Sequence, residues 1–344
     1  MARHMKNPVN LSIGQPDFDI PDELKNEAIH WIQAGFNQYT VTQGIQELRD
    51  KILLKLKTER SIEAEDILIT SGVSGGIFLA FMALLNPGDE VLVPDPYFVM
   101  YKHLAKLIGA VPVFVDTYPQ FVLTAQAIEK HLTNKTKLIL INSPANPTGV
   151  SIPQNELKEI AELAKQKKIP ILTDEIYSSY AYDEPFASIG RFYDQSLVLD
   201  GFSKTYAMTG WRLGFAAGPK EIVQAMTKLQ QFSFVCAPSF SQKTALKALD
   251  YSMSSYIKHY KRKRELIYEG LKEKFEIAKP SGAFYIFPKA PGSDGDDFAR
   301  KAIEKNLLII PGSVFSEKKS HFRISFAASD ETILKGIEIL NKMA

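Results

Sequence analysis

Cysteine is nearly absent from this chain. The single thiol, Cys236 among 344 residues, excludes an intrachain disulfide and any paired-cysteine metal or redox site, and it points to a reducing, cytoplasmic setting. No metal centre is expected. Charge of one sign is also lacking. Forty-one Lys and Arg against thirty-nine Asp and Glu leave +2, which gives no electrostatic case for nucleic acid or an anionic membrane surface. The densest basic cluster, Lys258 to Arg264, reads as the solvated face of a helix. Long hydrophobic runs are missing too. The longest, Gly75 to Leu85, is too short to span a bilayer. No signal peptide is evident, and Met1-Ala2-Arg3-His4-Met5 reads as a cloning scar.

What remains is an ordinary globular composition, 45% apolar and 23% charged, in a chain longer than one hydrophobic core usually serves. Apolar runs predict buried strands at Ile67–Thr70, Glu90–Val93, Val111–Val115, Lys137–Ile141, Ile169–Thr173, Ser196–Leu199 and Gly214–Ala217. Helical patterns fall between most of them, at Gly75–Leu85, Tyr97–Leu107, Ala125–His131 and Gln154–Lys167. Two further helices, Asp22–Ala34 and Ile45–Lys57, precede them. Such alternation predicts an α/β protein with a mostly parallel seven-stranded sheet flanked by helices. From about Phe240 the texture changes to a long helix, Ser254–Lys274, short strands at Phe275–Ala278, Ala283–Phe287, Leu307–Ile310 and Phe322–Phe326, and a closing helix, Asp330–Lys342. The expected division is a large α/β domain over 36–240 and a smaller α+β domain made of 1–35 and 241–344.

In open α/β sheets ligands gather at the carboxyl ends of the strands. Five of those ends carry chemistry here. Ser71-Gly72-Val73-Ser74-Gly75-Gly76 is a glycine turn opening a helix, suited to a phosphate. Tyr97 follows the second strand, Asn146 the fourth, and Asp174 with Tyr177 the fifth. After Leu199 comes Gly201-Phe202-Ser203-Lys204-Thr205-Tyr206-Ala207-Met208-Thr209-Gly210-Trp211-Arg212-Leu213-Gly214, where a lysine and an arginine sit among aromatics. That company suggests a lysine kept reactive and an arginine kept for an anion. Together these ends describe a pocket for a small, flat, anionic ligand. The same glycine turn also matches Gly-x-Ser-x-Gly, the nucleophile elbow of serine hydrolases, with Ser74 as nucleophile and His321 as the late histidine.

Asn146-Pro147-Thr148-Gly149, Asp174-Glu175-Ile176-Tyr177, Ser203-Lys204 and Gly210-Trp211-Arg212-Leu213-Gly214, in this order, resemble the class I/II aminotransferases, pyridoxal-phosphate enzymes of fold type I. The resemblance runs from Gly14-Gln15-Pro16-Asp17-Phe18 to Phe322-Arg323-Ile324-Ser325-Phe326. It implies that Lys204 holds pyridoxal 5'-phosphate as a Schiff base and serves as the catalytic base. Asp174 would pair with the pyridinium nitrogen, Asn146 and Tyr177 would bond the phenolic oxygen, and Tyr97 would stack on the ring. Val73, Ser74, Ser203 and Arg212 would hold the phosphate, with Tyr39 reaching the phosphate of a second subunit in a homodimer. Arg323 would clamp the substrate α-carboxylate, helped by Asn146 and Gly14. The implied reaction moves an amino group from an α-amino acid to a 2-oxo acid, 2-oxoglutarate being the expected acceptor, in a ping-pong cycle. A β-eliminating C–S lyase is the alternative on the same cofactor. Some aspartate-preferring relatives carry a lysine where this chain has Ser74, and the apolar stretch Phe232–Pro238 suggests neutral or aromatic substrates. The segment before Gly14 is short for the family, which implies a reduced dimer contact.

Overall fold

The computed structural model describes residues 5–344; Met1–His4, most of the stretch read as a cloning scar, lie outside them. In chain order the elements are β1 (Val9–Asn10), α1 (Asp22–Gln33), α2 (Gln46–Arg60), β2 (Asp66–Ser71), α3 (Gly72–Leu84), β3 (Glu90–Asp95), α4 (Val99–Leu107), β4 (Val111–Asp116), α5 (Ala125–Glu129), β5 (Thr136–Asn142), α6 (Gln154–Lys167), β6 (Ile171–Asp174), β7 (Ser196–Gly201), β8 (Leu213–Gly218), α7 (Lys220–Ser233), α8 (Ser239–Ala248), α9 (Ser254–Leu271), β9 (Tyr285–Ile286), α10 (Gly295–Glu304), β10 (Leu307–Leu308), β11 (Ile310–Pro311), β12 (Phe322–Ser325) and α11 (Asp330–Met343).

The expected sheet is present, with strand order β2-β8-β7-β6-β5-β3-β4. Apart from the partly exposed edge strand β4, its strands are largely buried on both faces, which is why they read as continuous apolar runs rather than alternating ones. Only β8 departs from the common direction, running antiparallel to β2 and to β7. This reversal positions the site. β2, β5, β6 and β7 end at Ser71, Asn142, Asp174 and Gly201, whereas β8 begins at that same edge, so Arg212 arrives beside the other strand ends. Register links them directly, Asn142 opposite Asp174 and Gly201 opposite Gly214.

Three smaller strands, in the order β11-β12-β9, form an antiparallel sheet, and β1 pairs with β10. One continuous apolar core joins these elements to the main sheet, reaching from Ile77 and Tyr101 to Phe284, Phe322 and Leu340.

Two expectations fail. Phe275–Ala278 is not a strand; it meets Lys289 through one hydrogen bond, from the Lys289 N–H to the Glu276 carbonyl (3.0 Å), without a ladder. Lys258–Arg264 is not wholly a solvated face either, because Lys263 and Arg264 are buried within α9. The buried stripe of α9 is Tyr260, Lys263, Arg264, Ile267 and Leu271, a helical period with two cations on its inner side. Asp17 accepts from Lys263, and Asp183 holds Arg264 bidentately at 2.8 Å on both oxygens. The helices α7, α8 and α10 were not anticipated.

Candidate active site

A cavity of about 410 Å³ opens at the carboxyl edge of the large sheet, the size of an ordinary small-molecule site. Ten of the expected residues line it: Gly14, Val73, Ser74, Asn146, Asp174, Tyr177, Ser203, Lys204, Arg212 and Arg323.

On one side α3 begins within the cavity. Its first turn has no side-chain cap, so free N–H groups and the positive end of the helix dipole are available to an anion. Gly72 has φ +68°, and a Cβ there would stand 2.6 Å from Arg212 Nη2. The missing side chain is what lets the guanidinium lie against the turn. Arg212 is further fixed by donation to the Thr209 carbonyl at 2.8 Å.

Asp174 forms the floor and is buried. Its Oδ2 accepts from the Tyr101 hydroxyl (2.7 Å) and its Oδ1 from the Ile176 N–H (3.2 Å). Burial pushes its pKa up to about 6, against the pull of those two hydrogen bonds. Behind it Arg60 neutralises two further buried carboxylates, Glu175 (3.2 Å) and Asp200 (2.7 Å). Lys204 donates from Nζ to the Gly14 carbonyl at 2.7 Å. Burial lowers its pKa to about 8; Asp174 opposes that shift, while Arg212 and Arg323 add to it. A lysine so placed offers a neutral amine near neutral pH, which an exposed lysine does not.

Arg323 is buried between the rings of Phe315 (4.4 Å) and Tyr285 (4.6 Å). Nη1 donates to Asn146 Oδ1 (3.0 Å) and Nη2 to the Ser12 carbonyl (2.8 Å), but Nε is buried without a partner. An orphaned buried guanidinium donor is costly unless an acceptor arrives. The donor set thus fits pyridoxal phosphate and a carboxylate substrate: an uncapped helix start with an arginine, a buried carboxylate, a lysine of lowered pKa, and a second arginine with a donor to spare.

Two expected residues lie elsewhere. Tyr97 does not line the cavity: it stacks on Phe114 (4.9 Å, 25°) and donates to Glu317. The next residue, Phe98, faces the cavity instead. Tyr39 is 83% exposed and borders a surface hollow with Asn37, Cys236 and Pro238. Phe232–Pro238 does not shape the cavity of its own chain; Phe232 is exposed and Phe234 packs edge-on against Phe78. The apolar wall comes from Ile77, Phe98, Val99, Ile310, Val314 and Phe315. Besides Phe98, sequence reading missed Tyr101, Asn142 and Tyr285. Helical spacing could have found Tyr101, three residues after Phe98 at the start of α4.

The hydrolase alternative has no geometry to support it. Ser74 lines the cavity, but His321 is buried elsewhere, stacked on Phe287 (5.2 Å, 15°) with Tyr118 and Phe121 at its edges. Among the described residues no His, Cys, Asp and Glu cluster could hold a metal ion, and no helix is long and apolar enough to cross a membrane.

The family model described as aminotransferase class I and II matches residues 6–340. The chain is similar to a probable aspartate aminotransferase of Methanocaldococcus jannaschii, 38% identical over 97% of this chain and 93% of that protein. It is also similar to a probable N-acetyl-LL-diaminopimelate aminotransferase of Bacillus subtilis, 40% identical over 99% and 90%. The fold superposes on the aromatic aminotransferase from Pyrococcus horikoshii with TM-score 0.95 at 34% identity, covering 99% of this chain and 96% of that one.

Proposed function

Because this chain belongs to the class I and II aminotransferases and is a pyridoxal-phosphate-dependent transaminase, we propose the following assignment of its residues. The α3 first turn at Val73 and Ser74, with Ser203 and Arg212, holds the cofactor phosphate. Asp174 keeps a proton on the pyridinium nitrogen, and Asn146 and Tyr177 bond the phenolic oxygen. Phe98 takes the stacking role. The bound cofactor supplies an electron sink for the charge left when the substrate Cα loses its proton. Lys204 Nζ carries the cofactor at rest and moves that Cα proton once freed. Arg323, with Asn146, fixes the substrate carboxylate so that the Cα hydrogen faces Lys204.

The observation that carries this reading is Lys204: a lysine of lowered pKa that shares one cavity with a buried aspartate and two guanidinium groups. On the side-chain end the wall is apolar, which favours neutral or aromatic amino donors, with 2-oxoglutarate as acceptor. The probable aspartate aminotransferase and the aromatic aminotransferase named above bracket this choice. The exposed Tyr39, Val41, Phe232 and Val235 favour a homodimer in which Tyr39 serves the partner's phosphate. The single free Cys236 supports a cytoplasmic location. The line between the two structural units is proposed to lie after Ala248 rather than at 240/241, since Ala245 and Ala248 of α8 (Ser239–Ala248) share a core with Ile67, Ile69 and Phe215 of the large sheet, a core that Leu24 of α1 also joins.

The test is to add pyridoxal phosphate to the purified protein, reduce with borohydride and locate the modified lysine, then assay a panel of amino acids with 2-oxoglutarate. Label on Lys204 and glutamate formation are expected. Label elsewhere overturns the assignment, and release of ammonia or sulfide in place of glutamate favours the lyase.

A further inference from the structure

Tyr285 touches three parts of the site at once. Its hydroxyl lies 2.8 Å from that of Tyr177 in a buried contact. Its ring face lies 4.6 Å from the Arg323 guanidinium carbon. Its hydroxyl also lies over Gly14, where a Cβ would stand 2.9 Å away, and Gly14 is the carbonyl acceptor for Lys204. The small sheet explains the placement. Tyr285 on β9 opposes Ser325 on β12, and Arg323 lies two residues from Ser325, on the same face. Diagonal neighbours at this spacing meet when one is aromatic and the other long.

A phenol has one proton to give. If Tyr177 gives its proton to the cofactor's phenolic oxygen, the Tyr177–Tyr285 bond is left with Tyr285 as donor. Donation into the Tyr177 oxygen polarises its O–H and makes it a stronger donor in turn. The same ring holds Arg323 by a cation–π contact, as the Phe315 ring does at 4.4 Å, and so fixes where its guanidinium stands in the lining of the cavity.

We propose that Tyr285 is a positioning residue that couples the two ends of the site: its hydroxyl sets the donor strength of Tyr177, and its ring sets the orientation of Arg323. The proposal rests on the cofactor assignment above. It separates into two contacts that two variants remove one at a time. Tyr285→Phe keeps the ring and loses the hydroxyl; Tyr285→Leu loses both.

The readouts are an absorbance titration of the cofactor bound to Lys204 and calorimetric binding of an unreactive 2-methyl amino acid to the holoenzyme. Negative charge on the phenolic oxygen draws a proton onto the nitrogen that joins Lys204 to the cofactor, and a strong Tyr177 hydrogen bond holds that charge away. Tyr285→Phe should therefore move the titration midpoint up by about half a pH unit and leave ligand affinity within about twofold. Tyr285→Leu should give the same upward shift and weaken the ligand about fivefold or more. On a Tyr177→Phe background, Tyr285→Phe should add no further shift. An unmoved midpoint in Tyr285→Phe, a shift that persists without the Tyr177 hydroxyl, or equal ligand affinity in the Leu and Phe variants would each overturn the coupling. A wild-type protein with no titratable cofactor at Lys204 would overturn the cofactor assignment itself.

Discussion

Lys204 Nζ donates to the backbone carbonyl of Gly14 at 2.7 Å, a contact between residues 190 positions apart. It ties the end of β7 to the N-terminal segment that closes the site from the other side. The same segment supplies the Ser12 carbonyl to Arg323, so one short stretch of backbone orients both the lysine and the carboxylate-binding arginine.

Lys204→Ala should fold normally by circular dichroism, retain part of its cofactor affinity and lose turnover by at least ~100-fold, the range for a general acid–base group. Wild-type apoprotein should capture pyridoxal phosphate with a rate that rises through a midpoint near pH 8, because the neutral amine is the nucleophile and burial has lowered its pKa to about 8. Asp174 stabilises the ammonium form. Asp174→Asn should therefore move that midpoint down, which stopped-flow absorbance from pH 6 to 10 would measure.

Arg323→Ala should raise the KM for the amino acid by roughly 30-fold or more, the cost of leaving a buried carboxylate without its charged partner. The cofactor should stay bound, since Arg323 is not among the residues assigned to its phosphate or its ring nitrogen. Arg323→Lys should not restore binding, because a lysine cannot form the two parallel hydrogen bonds of a guanidinium. Steady-state kinetics with the absorbance spectrum separates these outcomes.

Ser74→Lys should raise the kcat/KM ratio of acidic over neutral amino donors by about tenfold, the worth of one partly buried charge pair. Ser74 lines the cavity, which also has an apolar wall. A panel of aspartate, leucine and phenylalanine with a common acceptor measures the change.

Asp183→Ala should destabilise the protein by about 3 kcal/mol although Asp183 is 45% exposed, because it leaves the fully buried Arg264 short of its main partner. Arg264→Met should cost less, about 1.5 kcal/mol, since a half-exposed carboxylate remains hydrated and most of the volume is kept. Urea unfolding of the two single variants and the double variant tests the asymmetry.

Local pattern carried much of this protein in readable form. Seven apolar runs mark the seven strands of the large sheet, because a strand covered on both faces is apolar along its length and even the partly exposed edge strand β4 is rich in valine. The residues that follow those runs mark the cavity, because strand direction delivers them to one edge. Ten of twelve expected site residues are there. Tyr97 fails for a local reason that its sequence does not display: both it and Phe98 are aromatic, and the turn after Asp95 decides which one faces inward.

The sequence by itself determined the order of elements, the glycine turn, and Lys204, Asp174 and Arg212 of the site, because each follows from short-range periodicity or from what stands at a strand end; Arg323 was legible only through the family resemblance. Only the tertiary structure decided how those groups behave. Burial lowers the pKa of Lys204, the antiparallel β8 brings Arg212 to the edge, and the β9–β12 register sets Tyr285 against Arg323. It also places Lys263 and Arg264 inside, where Asp17 and Asp183, 246 and 81 residues away, meet their charges. The physical reason is the same throughout: the energy of a charge depends on the solvent it has lost and the partner it has gained, and both are fixed by segments remote in sequence.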